Sequence, residues 1–462
     1  MKRHTFARGI HPQTRKLSAS SPIRLIPATG EMVYPLAQHI GAPARPVVAV
    51  GDHVLGGDLL AEAVGFVSAP VYASTSGTIT AIAPRLVTGG DAMPAIILQP
   101  DGEDTWRHPS HNPAHISPAS GEEILRTLTS EPIVSMDAAA IREAVGKAGI
   151  VGLGGAGFPA VVKLTPKDPD AIDTLIVNGA ECEPYLTSDD RLMQERGEEL
   201  LGGCSLLLRL FPNARCVIAI ENNKPAAIRS LRARCAVYSN IEICPLKAKY
   251  PQGGERMLIS AVTGRKLNSS MLPAAVGCIV MNVASVIATY YAVTMGKPLT
   301  HRVMTVTGDG VNSPCNLEVP MGISHRAVVE AAGGLVGSPE KLISGGPMMG
   351  VALFTLDIPV TKTSSAILAL ARDPVALQDT TACIRCGRCL AACPERLVPV
   401  HLADAAERDD FTDFEKHGGM ECIECGSCAY VCPAARHLVQ SMRYGKRQTA
   451  AIRRERQAKK TP

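Results

Sequence analysis

Aromatic residues are scarce in this chain of 462 residues, with seven Phe, nine Tyr and one Trp, so its cores must be built from aliphatic side chains. No lysine occurs between Lys16 and Lys147. Charge of one sign is also scarce: the formal net charge is only +4, which argues against nucleic acid as a partner. The start, MKRHTFARGIHPQTRKL, is basic but has no apolar core of the kind a secretory signal carries. The uncharged run Ala274 to Met295 is long enough to span a bilayer, but it holds Gly277, Asn282, Ser285 and Thr289. It reads as a buried loop and helix inside a soluble domain. No disulfide framework is evident either, because Cys182, Cys204, Cys216, Cys235, Cys244, Cys278 and Cys315 are scattered, and a reducing cytoplasm is the economical setting. No Ser–His–Asp arrangement, Walker loop or nucleic-acid motif is present.

The other eight cysteines are ordered. CIRCGRCLAACP places Cys383, Cys386, Cys389 and Cys393 before Pro394, and CIECGSCAYVCP places Cys422, Cys425, Cys428 and Cys432 before Pro433. This is the bacterial ferredoxin run, in which three close thiolates hold one [4Fe–4S] cluster and the fourth reaches the other. The expected sets are Cys383, Cys386, Cys389 with Cys432, and Cys422, Cys425, Cys428 with Cys393. Zinc is the alternative for four thiolates, but its knuckles come as widely spaced pairs. Between the runs, VPVHLADAAERDDF has Val400, Leu402, Ala405 and Ala406 about a helical turn apart, which predicts an inserted helix.

Length and texture divide the chain into several units. Residues 1–118 are rich in short β runs between Gly and Pro turns and resemble the barrel-sandwich of lipoyl and biotinyl carriers. Without lysine such a unit carries neither group and is structural or a docking module. His108, His111 and His115, in the linker DTWRHPSHNPAHISPAS, read as incidental rather than metal-binding. Residues 119–299 alternate helices with apolar strands, an α/β pattern: DAAAIREAVGKAG predicts a helix capped by Asp137 and ended by Gly149, with strands at TLIVNGA and CVIAIE and a helix at LLGGCSLLLRLF. Residues 300–365 predict two strands, a turn and a helix, resembling the β-grasp (SLBB-like) module of respiratory flavoproteins. Residues 366–442 hold the cluster runs as a helical, ferredoxin-like domain. The tail 443–462, with eight Lys or Arg against one Glu, reads as a solvated disordered segment, the alternative being a surface for anionic lipid or an acidic partner.

VGLGGAGFPA sets Gly152, Gly154 and Gly157 in G-x-G-x-x-G register, with Pro159 suited to a helix start and Glu181 some two dozen residues on. Alone this is compatible with a Rossmann loop. Consecutive glycines let backbone N–H groups approach a phosphate or a flat ring. GLGGAGFPAVVKL, VNGAECEPYLTSDDRLM, ENNKPAAI, KYPQGGER and VMNVASV, in that order, resemble the flavin- and NADH-binding subunit of respiratory complex I. That resemblance implies that Gly154, Gly155 and Lys163 hold the FMN phosphate side and that Asn178, Glu181 and Glu183 line the flavin and nicotinamide pocket. It sets Asn282 against the phosphate and makes Glu183 the candidate for orienting the nicotinamide. The family's loop arginine is Leu153 here, and its aspartate after Asn is Ala180.

The order of units is similar to the C subunits of Rnf/Rsx ion-translocating electron transport complexes, from about His39 to Cys432. The long Ala- and Lys-rich repeat found after the clusters in some of them has no counterpart in this short tail. The resemblance implies a multidomain α/β and α+β protein with non-covalent FMN, two [4Fe–4S] clusters and NADH as substrate. Other subunits of the membrane complex are the implied partners, with peripheral attachment to the cytoplasmic side of the inner membrane. Three other readings stand beside it: a two-cluster relay without a working flavin site, a Rossmann dehydrogenase with an appended ferredoxin, and a cobalamin-reductase-like flavoprotein.

Overall fold

The computed structural model describes residues 4–458. The β-rich N-terminal unit comprises two small sheets. One orders Met32–Pro35, Ala92–Pro100, Gly77–Leu86 and His53–Val54; the other orders Arg45–Pro46, Leu59–Glu62 and Val71–Tyr72. Alternation in GTITAIAPRL turns Ile79 inward and leaves Thr78 and Thr80 exposed. Residues 4–25, which the sequence groups with this unit, lie outside its sheets. Their strand Ile23–Leu25 pairs in parallel with Cys315–Pro320, far along the chain.

Four parallel strands form the centre of the α/β domain, ordered Ile241–Leu246, Arg215–Glu221, Thr174–Gly179 and Cys278–Asn282. They read as apolar runs because helices cover both faces. The first strand in sequence, Thr174–Gly179, lies between the second and the last. The sheet order therefore reverses beside it, which opens a crevice at the carboxyl ends of Thr174–Gly179 and Cys278–Asn282. On one face the helix Gly197–Leu208 meets the helix Val283–Met295. Gly203 permits that approach, since a Cβ there would stand 2.4 Å from the Val286 carbonyl oxygen. The uncharged run 274–295 is thus a strand followed by a core helix, where the sequence reads loop and helix; among the described residues no helix is long and apolar enough to cross a membrane. The helix Ala138–Lys147 is capped by Asp137, whose carboxylate accepts from Ala140 N, and is followed by Gly149 at φ +68°.

The third unit is a six-stranded mixed sheet in which Cys315–Pro320 and His301–Thr307 pair antiparallel, with the helix His325–Ala331 following them. It shares one apolar core with the barrel-sandwich: Tyr34, Ile79 and Leu98 pack with Met304, Leu317 and Ile367.

The cysteine domain is helical. The predicted inserted helix is Pro399–Glu407, which buries Leu402, Ala405 and Ala406. The basic tail is not a disordered segment up to the last described residue: Leu438–Ala458 is one helix, and residues 459–462 of the expected tail lie outside the described residues. Leu438, Val439, Met442 and Thr449 fix it by facing inward at helical spacing.

Candidate flavin and cluster sites

The strand register sets Asn178 opposite Asn282 at the carboxyl edge, so the two asparagines reach the crevice from neighbouring strands. Asn282 caps the helix after it by accepting from Ala284 N at 2.9 Å and donates to Asp189 Oδ2 at 2.8 Å. Asn178 donates to Gly253 O at 2.9 Å. The glycine loop folds over Asn282, closed by a bond from Gly152 N to Phe158 O. A Cβ on Gly154 would lie 2.7 Å from Asn282 Nδ2, whereas one on Gly155 would meet nothing within 4 Å. Gly157 holds φ +70°, the conformation its position requires. Lys163 donates to Glu255 Oε1 and to Val280 O, beside the same strand end.

The acids of ECEP are already engaged. Glu181, at φ +46°, accepts from Asp189 N at 2.7 Å and so caps the helix Ser188–Glu195. Glu183 accepts from Met348 N and Met349 N at 3.1 and 2.9 Å, tying this segment to the β-grasp unit. The reading of Glu183 as the group that orients the nicotinamide therefore meets a carboxylate bonded through both oxygens; its geometry is that of a positioning residue.

Lys16, from the N-terminal arm, donates to the carbonyls of Glu181, Glu183 and Leu186, and Lys224 donates to Ala180 O at 2.6 Å. Sequence reasoning missed Lys16, because a lysine some 165 residues upstream carries no local sign of this contact. It also missed Asp189, although SDDRLM is part of the same motif. Leu153, in place of an arginine, is only 4 % exposed and packs with Ala69, Val151, Leu299 and Met321.

Burial, followed by the nearby Glu181 carboxylate, pushes Asp189 up to about 7, and burial pushes Glu183 up to about 7. Both groups bind protons in the folded state at a pH where they are ionised in the unfolded chain. Their stabilising contribution is full below about pH 4 and is lost as pH rises towards 7. Thermal unfolding of flavin-free protein is therefore expected at a lower Tm at pH 8 than at pH 5, and Asp189→Asn should reduce that slope. A flat profile in the unmutated chain would contradict the placement of these acids.

The residues present fit a flavin. The Gly154 and Gly155 cradle leaves room that side chains would fill, and Gln252, next to Gly253, is fully buried with neither side-chain polar atom hydrogen-bonded.

The cysteines fall into two sets. Cys393, Cys422, Cys425 and Cys428 line one cavity, as the crossed pairing requires. Cys432 lies instead beside Arg388 and Tyr430 at the outer face, close enough to influence the ionisation of Cys389, while Cys383 and Cys386 are exposed. The backbone repeats along with the cysteines. Arg385, Gly387 and Arg396 have positive φ, and so do Glu424, Gly426 and Ala435, the equivalent places of the second run. The turns aim amides at sulfur: Arg385 N donates to Cys383 Sγ and Glu424 N to Cys422 Sγ, each at 3.4 Å. Thiolates curled within reach of backbone donors fit iron–sulfur clusters.

The inner set abuts the flavin domain. Tyr250 donates from its buried hydroxyl to Cys425 O at 2.7 Å, and Arg256 pairs with Glu395 and Glu421. Ile10, Cys182, Met348 and Ile423 fill the seam. Cys182 is a thiol pushed up to about 12, mainly by burial. His111 of the linker bonds through Nε2 to Met295 O at 2.8 Å and so ties the linker to the end of the core helix.

A barrel-sandwich, an α/β crevice cradled by glycine, a β-grasp sheet and two four-cysteine sets define an iron–sulfur flavoprotein. Family patterns match in the same order: the RnfC barrel sandwich hybrid domain over 4–103, the Nuo51 FMN-binding domain over 145–291, the SLBB domain over 303–352 and the 4Fe–4S dicluster domain over 376–433. The chain is 41 % identical to the C subunit of the Na(+)-translocating ferredoxin:NAD(+) oxidoreductase complex of Acetobacterium woodii, covering 98 % of this chain and 99 % of that one. It is 41 % identical to the proton-translocating counterpart of Clostridium ljungdahlii, covering 98 % and 96 %. It is also 40 % identical to the C subunit of the ion-translocating oxidoreductase complex of Rhodobacter capsulatus, covering 95 % and 82 %. The chain belongs to this family of C subunits. Its fold is also similar to that of an NAD+-reducing [NiFe]-hydrogenase chain, with a TM-score of 0.51 at 20 % identity over 71 % of this chain and 65 % of that one.

Proposed function

We propose that the chain transfers electrons between NAD(H), FMN and two [4Fe–4S] clusters, as a subunit of an ion-translocating ferredoxin:NAD oxidoreductase. The observation that carries this reading is the buried seam at Tyr250 and Cys425, which sets the carboxyl-edge crevice directly against one four-cysteine set. When bound, FMN takes up the two electrons of a hydride together and gives them up singly to clusters that each carry one.

Gly152, Gly154, Gly155 and Gly157 shape the phosphate side, with Lys163, Asn178 and Asn282 as its polar contacts. Glu181 and Glu183 fix the segment beside it through the backbone amides they accept from. Cys383, Cys386, Cys389 and Cys432 hold the outer cluster, and Cys393, Cys422, Cys425 and Cys428 the inner one. Leu153 gives no support to a relay without flavin, since its side chain belongs to a packed core.

The partners are the other subunits of the complex, and the site of action is the cytoplasmic side of the inner membrane, reached by peripheral attachment. Anaerobic purification followed by cofactor extraction tests the reading. It predicts one FMN and about eight irons per chain; eight irons without flavin would overturn the flavin assignment and leave a relay.

A further inference from the structure

His401, Asp413 and His417 lie outside both cluster sets and the flavin crevice. Asp413, in the first turn of the helix Phe411–Lys416, and His417, its C-cap residue, are four residues apart and so project from the same face. His401 meets them from the facing helix Pro399–Glu407. One ligand atom from each of the three falls within 4.8 Å of the others. The imidazole rings stand edge to face with centroids 4.5 Å apart.

We propose that these three side chains bind a divalent transition-metal ion, zinc, which clips the two inserted helices together behind the clusters. His401 Nε2 is 2.9 Å from Asp413 Oδ2, yet it is buried and forms no hydrogen bond. The two atoms stand at ion-pair distance without the alignment of a hydrogen bond, a spacing that a cation bound to both satisfies. His417 Nδ1 is 3.0 Å from Asp413 Oδ1 and also 3.0 Å from the Asp413 carbonyl oxygen, a hydrogen bond that Nδ1 gives up if it ligates the ion. Two imidazoles and one carboxylate, with no thiolate, form a borderline nitrogen and oxygen set suited to Zn2+, and the half-exposed histidines leave room for water as a fourth ligand.

The position gives such a clip a purpose. Between the same helices, Phe414 and Leu402 form an apolar layer against which Cys389, Cys422, Cys428 and Cys432 pack. Fixing residue 401 to residue 417 holds the layer that backs both cysteine sets.

The test uses the full chain with flavin and clusters in place, given one equivalent of zinc sulfate, desalted, and measured for zinc by plasma mass spectrometry and by X-ray absorption at the zinc edge. The expected result is one zinc per chain with a first shell of nitrogen and oxygen at about 2.0–2.1 Å and no sulfur near 2.3 Å. His401→Gln and the near-isosteric Asp413→Asn should each lower zinc at least about tenfold while iron and flavin content stay unchanged. Zinc below about a tenth of an equivalent in the unmutated chain, a sulfur shell, or full retention in both variants would overturn the site and leave an ion-paired His–Asp–His set.

Discussion

Gly154→Val is expected to empty the flavin site while both clusters remain. The first added atom would lie 2.7 Å from Asn282 Nδ2 and 3.0 Å from its Cγ, and Asn282 cannot retreat because it caps one helix and holds Asp189. The valine therefore projects into the crevice or displaces its floor. FMN per chain should fall to below about a tenth, and the NADH-dependent bleaching of visible absorbance should fall by at least about a hundredfold, in line with losing the group that accepts hydride. Iron content and the cluster signals in electron paramagnetic resonance should be unchanged, because the cysteine sets rest on different helices. Gly155→Ala, whose Cβ meets nothing within 4 Å in the protein, separates the effects: a loss of flavin there reports a clash with the ligand rather than with Asn282.

Cys425→Ser should separate the two cysteine sets in function. Cys425 lines the inner cavity, and its carbonyl accepts from Tyr250 across the seam with the flavin domain. Removing this ligand is expected to abolish the inner cluster's signal, leave flavin reduction by NADH at its normal rate, and slow reduction of the outer cluster by at least about a hundredfold. Cys386→Ser, in the exposed set, should abolish only the outer signal and leave the inner cluster reducible by NADH. Loss of both signals in either variant would contradict independent sets, and rapid outer reduction in Cys425→Ser would contradict the order that the seam implies.

These expectations rest on features that differ in how legible they were. The cysteine sets and the α/β domain could be read because their signals are local: the thiolates repeat over a dozen residues, and TLIVNG is a buried parallel strand carrying its own apolar run. The crevice itself follows from strand order, which the sequence implies only through its resemblance to known flavoproteins. The N-terminal arm was illegible, since a three-residue strand, Ile23–Leu25, gains its meaning from a partner strand at Cys315–Pro320. Lys16 belongs to the same class, its three acceptors all being carbonyls with no side-chain signature.

Charge misled the reading of the tail. Lys and Arg dominate the outer face of Leu438–Ala458, but Gly445 lets the helix approach Phe414 so closely that a Cβ would stand 2.7 Å from the ring. Tertiary packing there adds to the helix propensity of its Ala, Arg, Gln and Lys residues. Glu181 and Glu183 stand out in the sequence as a pair of acids, yet their contacts depend on amides of the following helix and of the β-grasp loop.

The central claim is that NAD(H) exchanges electrons with a flavin that serves both clusters. An anaerobic titration of the intact protein with NADH, following flavin absorbance and the two cluster signals together, tests it most directly. The account predicts stoichiometric flavin bleaching and reduction of clusters that Gly154→Val abolishes. Clusters reduced by NADH without flavin, or a flavin that NADH leaves oxidised, would contradict it.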